Sequence, residues 1–304
     1  MANWSHFREL WDDCGVSRGR LFSEFPPNWR EIVCRKAYDL SSAKAASIAA
    51  RLKPPPGSGS VKKWMTTNRS YDLGKDWLSN AEKHEPPDAF DVIVASKNPS
   101  GKRRVLIAGD FPPDQEPWKV NTQIEVPRTA KNLLACVGRL LAVSDELVLV
   151  DQYFDPAEPR FSEPFAAFVA ARVRGKSWRR CELHVAHPVT KQGQPDKSVL
   201  SNRIFHMQHH LARLIPVGNT LCVRFWYRKT GGKKLHPRFV LTEHGGIHYD
   251  HGLDEGDSPS DSTIVSLMDQ DLWHIVRGDF GLDASREAAF GSGPDCIVSV
   301  VGTG

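Results

Sequence analysis

Three residues in the last third of the chain, His236, Arg238 and Glu243, bring an imidazole, a guanidinium and a carboxylate close together in sequence. The segment HPRFVL, which contains the first two, is typical of a β-strand, and side chains two residues apart on a strand point to the same face. An imidazole can attack phosphorus or transfer a proton, and a neighbouring cation neutralises phosphate oxygens. The spacing therefore predicts a phosphate site, which is either catalytic or retains binding alone.

The residues after this motif favour a β-hairpin. A polar turn over residues 243–246 is followed by a second short strand and then by an acidic loop, GLDEG, at residues 252–256. Such a hairpin presents polar groups at its end. The competing interpretation is that His, Arg and Glu lie together by chance on an exposed strand face, without any function.

The composition indicates a folded protein rather than a disordered chain. Its 304 residues are 40% hydrophobic and 25% charged and include nine tryptophans, which is enough for one large domain or two modest ones. The net charge is +4 and the isoelectric point about 8.7. These values suit a phosphate-bearing partner but fall far short of a basic nucleic-acid-binding tail.

Nothing in the sequence predicts a membrane protein. The chain has no apolar run long enough to span a bilayer, and its first ten residues lack the pattern of a secretory signal. Six scattered cysteines without a CxxC pair favour reduced thiols over disulfides or a zinc knuckle. We therefore expect a soluble, cytoplasmic protein without a membrane span.

The first part of the chain, residues 1–125, is predicted to be a helical and hairpin region of unknown role. Four helices are expected, over residues 4–15, 27–40, 41–52 and 75–84. Residues 54–60 are a proline- and glycine-rich linker. A β-hairpin is expected from residues 90–96 and 103–109, which are apolar and separated by a turn sequence.

Helices alternate with apolar strands in the rest of the chain, residues 126–304. The alternating elements cover residues 128–144 (helix), 146–154 (strand), 164–175 (helix), 181–189 (strand), 202–215 (helix) and 220–228 (strand). This order predicts an α/β fold with a mixed sheet flanked by helices. Ligands bind beyond the strand ends in such sheets, so Asp151, Gln152 and Tyr153 are expected beside His236.

The order of these motifs resembles the phospholipase D-like superfamily over residues 128–280. In that family a His-x-Lys-x4-Asp signature stands where this chain has His-x-Arg-x4-Glu. The greatest similarity is to a degenerate single-motif branch, the C-terminal domain of MIT-domain proteins and its bacterial relatives. The matching segments are Asp151-Gln152-Tyr153 after a strand, then His236-Pro237-Arg238, then Gly252-Leu253-Asp254.

This resemblance implies a phosphate-binding protein more than a hydrolase. Arg238 stands in place of the usual lysine, and a planar fork of donors is not equivalent to a compact ammonium. Glu243 replaces aspartate, and relatives with His-x-Arg are regarded as non-catalytic and bind lipid headgroups or proteins. The bacterial relatives imply a place in a larger protein assembly, such as an antiviral defence system.

Two clusters of basic residues are candidates for further phosphate contacts. The first spans residues 172–180 around Trp178, and the second spans residues 224–234, immediately before His236. Basic groups interleaved with aromatic side chains suit the backbone and bases of a nucleic acid. A solvated helix end and a solvated loop explain the same clusters without a ligand. The predicted phosphate contacts are Asp151, Tyr153, Arg179, Arg180, Arg228, Lys233 and Lys234.

Metal binding is not expected. His206 and His210 share a helix face, and His184 and His187 lie on the preceding strand, but no HExxH motif or acidic partner accompanies them. The acidic residues within 254–261 are more typical of a solvated loop than of a cation site. We predict neither a metal nor a cofactor.

Two main functions remain open from the sequence. The first is a module that binds nucleic acid or another phosphate-bearing ligand, together with protein partners. The second is a phosphodiesterase or nuclease with His236, Arg238 and Glu243 as catalytic residues. Because the chain has a single motif, this enzyme would be a homodimer, with one His236 as nucleophile and the other as general acid. A purely structural adaptor is a third, less favoured interpretation.

Overall fold

The structure is a computed structural model. It describes residues 4–37, 42–53, 63–65, 69–86, 88–110, 114–173, 178–227, 235–282 and 294–304. The chain divides into two compact units, Met1–Asn121 and Thr122–Gly304, which are described separately below. The predicted linker at residues 54–60 and the predicted phosphate contacts Arg228, Lys233 and Lys234 lie outside the described residues.

The first unit contains the four helices that the sequence predicts. They are α1 (Trp4–Asp12), α2 (Trp29–Ala37), α3 (Ser42–Leu52) and α4 (Trp77–Glu82). Phe7 and Trp11 of α1 pack against Ile48 and Leu52 of α3, so the unit has its own apolar core. Two short strands, β1 (Phe22–Ser23) and β2 (Trp64–Met65), pair in parallel beside this core.

The hairpin predicted within this unit is wrong. Both strands form, as β3 (Ile93–Ala95) and β4 (Val105–Ile107), but they pair in parallel, with Ile93 opposite Val105. The connecting residues 96–104 carry the chain back along β3 before β4 begins, and Gly101 turns within them at a φ of 64°. A short apolar strand has the same sequence pattern in either direction, so the connection alone decides the pairing.

The second unit is built on a sheet whose described strands number eight. They are β5 (Gln123–Pro127), β6 (Glu146–Val150), β7 (Arg180–Ala186), β8 (Thr220–Trp226), β9 (Arg238–Leu241), β10 (Gly246–Tyr249), β11 (Ser262–Leu267) and β12 (Cys296–Val301). Their order across the sheet is β12-β8-β7-β6-β9-β10-β11-β5. The neighbours β6, β7 and β8 are parallel, and every other pairing is antiparallel. The predicted mixed sheet is therefore confirmed.

Helices cover both faces of this sheet. They are α5 (Ala130–Ala142), α6 (Pro159–Val173), α7 (Lys197–Leu211) and α8 (Gln270–Asp279). On one face, the buried Tyr249 donates its hydroxyl to the carbonyl oxygen of Leu133 in α5 and lies against Phe168 of α6. On the other face, Trp273 of α8 packs into the cluster that contains Phe239. The α/β fold flanked by helices that the sequence predicts is present.

No helix in the described part of the chain is both long enough and apolar enough to cross a membrane.

Candidate functional site

The topology gathers polar residues at one edge of the sheet. The parallel strands β6, β7 and β8 end at this edge, and β9, which runs antiparallel to β6, begins there, with Phe239 opposite Val150. The residues that follow β6 and those that precede β9 therefore meet. This places Asp151, Gln152 and Tyr153 beside His236 and Arg238, as the strand order predicts.

His236 is exposed and is oriented by Gln152. Its Nδ1 atom lies 3.0 Å from Nε2 of the Gln152 amide. With the amide in this orientation its nitrogen donates and Nδ1 accepts, which favours the tautomer of the neutral ring that carries its proton on Nε2. The outward nitrogen, Nε2, is therefore the one that can donate a hydrogen bond to a ligand. A ring in this tautomer donates to a phosphate oxygen and has no lone pair on Nε2 for attack on phosphorus.

Arg238 lies beside this imidazole and keeps donor capacity. Its Nη1 atom donates to the carbonyl oxygen of Asp250 at 3.2 Å, and its Cζ atom lies 5.5 Å from the ring centroid of Tyr153. The Nε atom is buried and has no hydrogen-bond partner among the described residues. A buried N–H without a partner is costly and uncommon in folded proteins. The guanidinium is thus positioned by its hydrogen bond to the Asp250 carbonyl oxygen and by its contact with the Tyr153 ring. Its remaining N–H groups suit an anion.

Asp151 shapes the edge from inside. The residue is 1% exposed, its Oδ1 accepts from the backbone N–H of Tyr153 at 3.0 Å, and its Oδ2 accepts from that of Leu253 at 3.1 Å. Burial raises the pKa of this carboxyl group, although the two backbone hydrogen bonds oppose the rise. Each oxygen accepts one backbone hydrogen bond, so Asp151 joins the residues after β6 to the loop at Leu253, and its direct contact with phosphate stays a prediction.

The acidic loop after β10 is anchored to the two helices that flank the edge. Asp254 pairs with Arg128 at 2.6 Å and with Arg160 at 3.5 Å. Glu255 accepts from the backbone N–H of Ala130, the first residue of α5, at 2.6 Å. Gly252 has a φ of 140°, and a Cβ atom there would collide with the Asp254 carboxylate. Asp254 is thus held by two arginines and Glu255 by a backbone N–H group, and both carboxylates fix the loop in place.

Glu243, the third member of the sequence motif, lies at the opposite edge of the sheet. Its Oε1 accepts from the backbone N–H of Asp145 at 2.6 Å, and its Oε2 from that of Glu146 at 3.1 Å. It lies five positions after Arg238 and beyond the end of β9, a span of about 16 Å for an extended chain. The structure therefore does not bring Glu243 to His236, and the motif divides between two ends of β9.

Arg179 and Arg180 lie at this opposite edge as well. Arg179 pairs with Glu146 at 2.9 Å, and Arg180 approaches Glu146 at 3.9 Å and Glu182 at 3.6 Å. Glu146 is 3% exposed and also pairs with Arg277 at 3.0 Å. Arg179 and Arg180 therefore lie against two buried carboxylates, which they share with Arg277 and Arg224. The structure does not place them near His236.

A second polar network lies within the sheet between β7 and β8. Glu182 accepts two hydrogen bonds from Arg224, at 2.7 and 3.1 Å, and one from His184 at 3.0 Å. Burial opposes ionisation of Glu182, but the hydrogen bonds from His184 and Arg224 outweigh it and lower the pKa to about 2. The Trp226 indole donates to Nδ1 of His184 at 2.9 Å, and burial lowers the pKa of this histidine.

The histidines of α7 do not assemble a metal site with those of β7. The rings of His206 and His210 are 5.8 Å apart, while His184 is fully buried in the network described above. Among the described residues, no three His, Cys, Asp or Glu side chains form a group that could hold a metal ion.

Comparisons with known proteins identify no family. No family model matches the chain, and no curated protein matches it. A solved structure of TrmBL2, an archaeal chromatin protein with a novel mode of DNA binding, is similar at a TM-score of 0.27 with 12% identity. The similarity covers 54% of this chain and 52% of that one, so the chain spans about half of the TrmBL2 structure. At this TM-score the similarity supports no conclusion about function.

Proposed function

We propose that residues 122–304 form a phospholipase D-like module that binds phosphate on nucleic acid, with His236 and Arg238 as the contacts. The observation that carries this proposal is the pair of donor groups at one sheet edge: the exposed imidazole of His236 and the half-buried guanidinium of Arg238. Charge-assisted hydrogen bonds from a guanidinium to an anion are shorter and stronger than neutral ones. A phosphate at this edge would accept hydrogen bonds from both groups.

The same geometry favours binding over hydrolysis. The hydrogen bond from Gln152 favours the tautomer with the proton on Nε2 of His236, whereas nucleophilic attack needs a lone pair at the attacking nitrogen. The nearby carboxyl group of Asp151 is 1% exposed and is turned onto two backbone N–H groups, an orientation that does not present it to a leaving group. We therefore infer that the module holds phosphate without cleaving the ester.

Binding is tested with the purified full chain and a fluorescently labelled oligonucleotide. In an anisotropy titration, Arg238→Ala should weaken binding by roughly 10- to 150-fold, because hydrogen bonds to charged groups contribute about 1.5–3 kcal/mol. The matched control is Arg35→Ala, which removes an exposed arginine from α2 in the first unit. Equal affinities of wild type, Arg238→Ala and Arg35→Ala would show that Arg238 does not contact the ligand.

Turnover is tested in parallel on the same oligonucleotide and on a small phosphodiester, with and without EDTA. We expect no cleavage by wild type or by His236→Ala. The control is His274→Ala, an exposed histidine on α8. Metal-independent cleavage that disappears in His236→Ala and persists in His274→Ala would contradict the binding-module proposal and support the homodimeric phosphodiesterase.

A further inference from the structure

Tyr153 exposes a large aromatic surface at the edge of the sheet. The residue is 56% exposed, although tyrosine usually buries most of its ring in folded proteins. Its backbone is held by the hydrogen bond from its N–H to Oδ1 of Asp151. The guanidinium of Arg238 lies over the ring at 5.5 Å, within cation–π range. The ring is thus held in place from the protein side and remains largely open to solvent.

We propose that this site takes an unpaired nucleotide of a single-stranded nucleic acid, with the base stacked on Tyr153 and the adjoining phosphate on Arg238 and His236. The inference rests on the proposed phosphate-binding function and names its ligand class. Arg238 connects the two halves, because its guanidinium lies 5.5 Å from the Tyr153 ring centroid and carries several N–H donors, of which Nη1 donates to the carbonyl oxygen of Asp250. A phosphate bound at Arg238 therefore lies within one nucleotide of the exposed ring.

A single strand suits this geometry better than the alternatives. Every base has a flat face that stacks on an aromatic ring, and such stacking tolerates any sequence. A duplex hides those faces inside its helix, and inorganic phosphate or a lipid headgroup has no base to stack. The exposed ring of Tyr153 therefore favours a ligand that carries an unpaired base.

A second exposed aromatic residue, Phe205, lies on α7. Phe205 is 61% exposed, and its ring stacks on His209 with centroids 5.7 Å apart and planes 5° from parallel. The neighbouring His206 lies 4.0 Å from Asp155, which is two residues beyond Tyr153 in the chain. No acidic residue occurs within α7, Lys197–Leu211. We therefore place a second stacking ring at Phe205, for strands long enough to extend from Tyr153 to α7.

The experiment compares three labelled probes on the full chain: a short oligothymidylate, the same strand annealed to its complement, and an abasic strand of equal length. We expect the oligothymidylate to bind most tightly. Tyr153→Leu should weaken its binding roughly 5- to 150-fold, the equivalent of ~1–3 kcal/mol of stacking, and should leave the abasic strand unaffected. Tyr153→Phe keeps the ring and should retain the wild-type affinity. Phe205→Leu should weaken longer oligothymidylates more than short ones.

A second readout reports stacking directly. A 2-aminopurine base in the strand should lose fluorescence on binding to wild type and to Tyr153→Phe, but not to Tyr153→Leu. Circular dichroism and thermal melting check that each variant is folded. Equal affinity for the abasic strand and the oligothymidylate, or tighter binding of duplex or of anionic phospholipid vesicles, would overturn the single-strand inference while the phosphate site stands. Absence of binding to every probe at low salt would overturn the proposed function as well.

Discussion

The side-chain amide of Gln152 donates a hydrogen bond to Nδ1 of His236 at 3.0 Å, and this contact joins the residues after β6 to those before β9. This contact favours the tautomer of the imidazole with its proton on Nε2. The site differs in this respect from one with a carboxylate as partner, because a carboxylate accepts from Nδ1–H and leaves the lone pair on Nε2. The side chain at position 152 therefore favours either donation or attack by the outward nitrogen.

Replacing Gln152 by glutamate should reverse the tautomer of His236. A carboxylate at this position accepts from Nδ1–H, so the neutral ring should move its proton from Nε2 to Nδ1. The nitrogen-15 chemical shifts of the imidazole, assigned with His236→Ala, measure this change. Gln152→Leu removes the partner altogether and serves as the control. If the Gln152→Glu ring still carries its proton on Nε2, the contact with Gln152 does not control the tautomer.

Arg238→Ala should also flatten the salt dependence of binding. Each phosphate contact releases counterions, so the slope of log K against log salt concentration should become shallower by roughly 0.7–0.9 when one contact is removed. Arg238→Lys keeps the charge and should restore most of the slope, but not the full affinity, since lysine lacks the planar fork. A slope in Arg238→Ala equal to that of wild type would mean that Arg238 does not contact phosphate.

The sequence predicts the second unit well because its signals are local. The apolar strands β6, β7 and β8 alternate with amphipathic helices, and that order implies a sheet with a site beyond the strand ends. It also places Tyr153 beside Arg238. Four elements escape notice: β5, β11, β12 and α8. The edge strand β5 has mostly exposed residues, so its sequence shows little hydrophobic alternation. The strands β11 and β12 pair with strands that are distant in sequence, so no local pattern predicts them.

The division of the motif at β9 could not be predicted from spacing alone. Residues 236, 238 and 243 are near in sequence, but a strand is extended, so the third member moves away by about 3.3 Å per residue. Only the pairing of β9 with β6 shows that Glu243 meets the start of β6 while His236 meets its end. The orphaned Nε of Arg238 likewise depends on the packing of several loops, which no local pattern encodes.

Glu243 should matter for stability and not for ligand binding. Its carboxylate accepts from two backbone N–H groups, whereas a glutamine amide offers one oxygen in their place. Glu243→Gln should therefore lower the free energy of unfolding by about 1–3 kcal/mol, measured by urea denaturation. The affinity of the folded variant for the oligonucleotide should equal that of wild type. A large loss of affinity at unchanged stability would show that Glu243 takes part in ligand binding.

Arg179 tests whether the phosphate contacts extend to the other edge of the sheet. The residue pairs with the buried Glu146, which Arg277 also neutralises, and it lies at the start of β7, far from His236. We expect Arg179→Ala to leave oligonucleotide affinity within about twofold of wild type, because one well-separated charge contributes little at ordinary ionic strength. Anisotropy at low and at physiological salt measures this. A loss as large as that of Arg238→Ala would show a second contact region.

Acid should destabilise the protein through Glu182 and His184. The pKa of Glu182 is about 2 in the folded chain, against 4.5 in the unfolded chain. The ionised carboxylate therefore stabilises the fold above pH 4.5, and this stabilisation is lost as pH falls toward 2. This contribution is on the order of 3 kcal/mol. The pKa of His184 is lowered by burial from 6.5, so the unfolded chain takes up a proton first, and stability declines as pH falls below that value. Burial raises the pKa of Asp151, which acts in the opposite direction and stabilises the fold at low pH relative to neutral.

The measurement is a series of urea denaturations between pH 7 and pH 3 on wild type and Glu182→Gln. Wild type should lose stability in two stages, below pH 6.5 and again below pH 4.5. Glu182→Gln should be less stable at pH 7, because a neutral amide leaves the Arg224 guanidinium without its carboxylate, and its stability should vary less below pH 4.5. Asp257→Asn, which changes a carboxylate that is 87% exposed, is the control and should follow wild type throughout. If Glu182→Gln and wild type lose stability in parallel below pH 4.5, the acid sensitivity arises from other carboxylates, and the network between β7 and β8 does not stabilise the sheet as described.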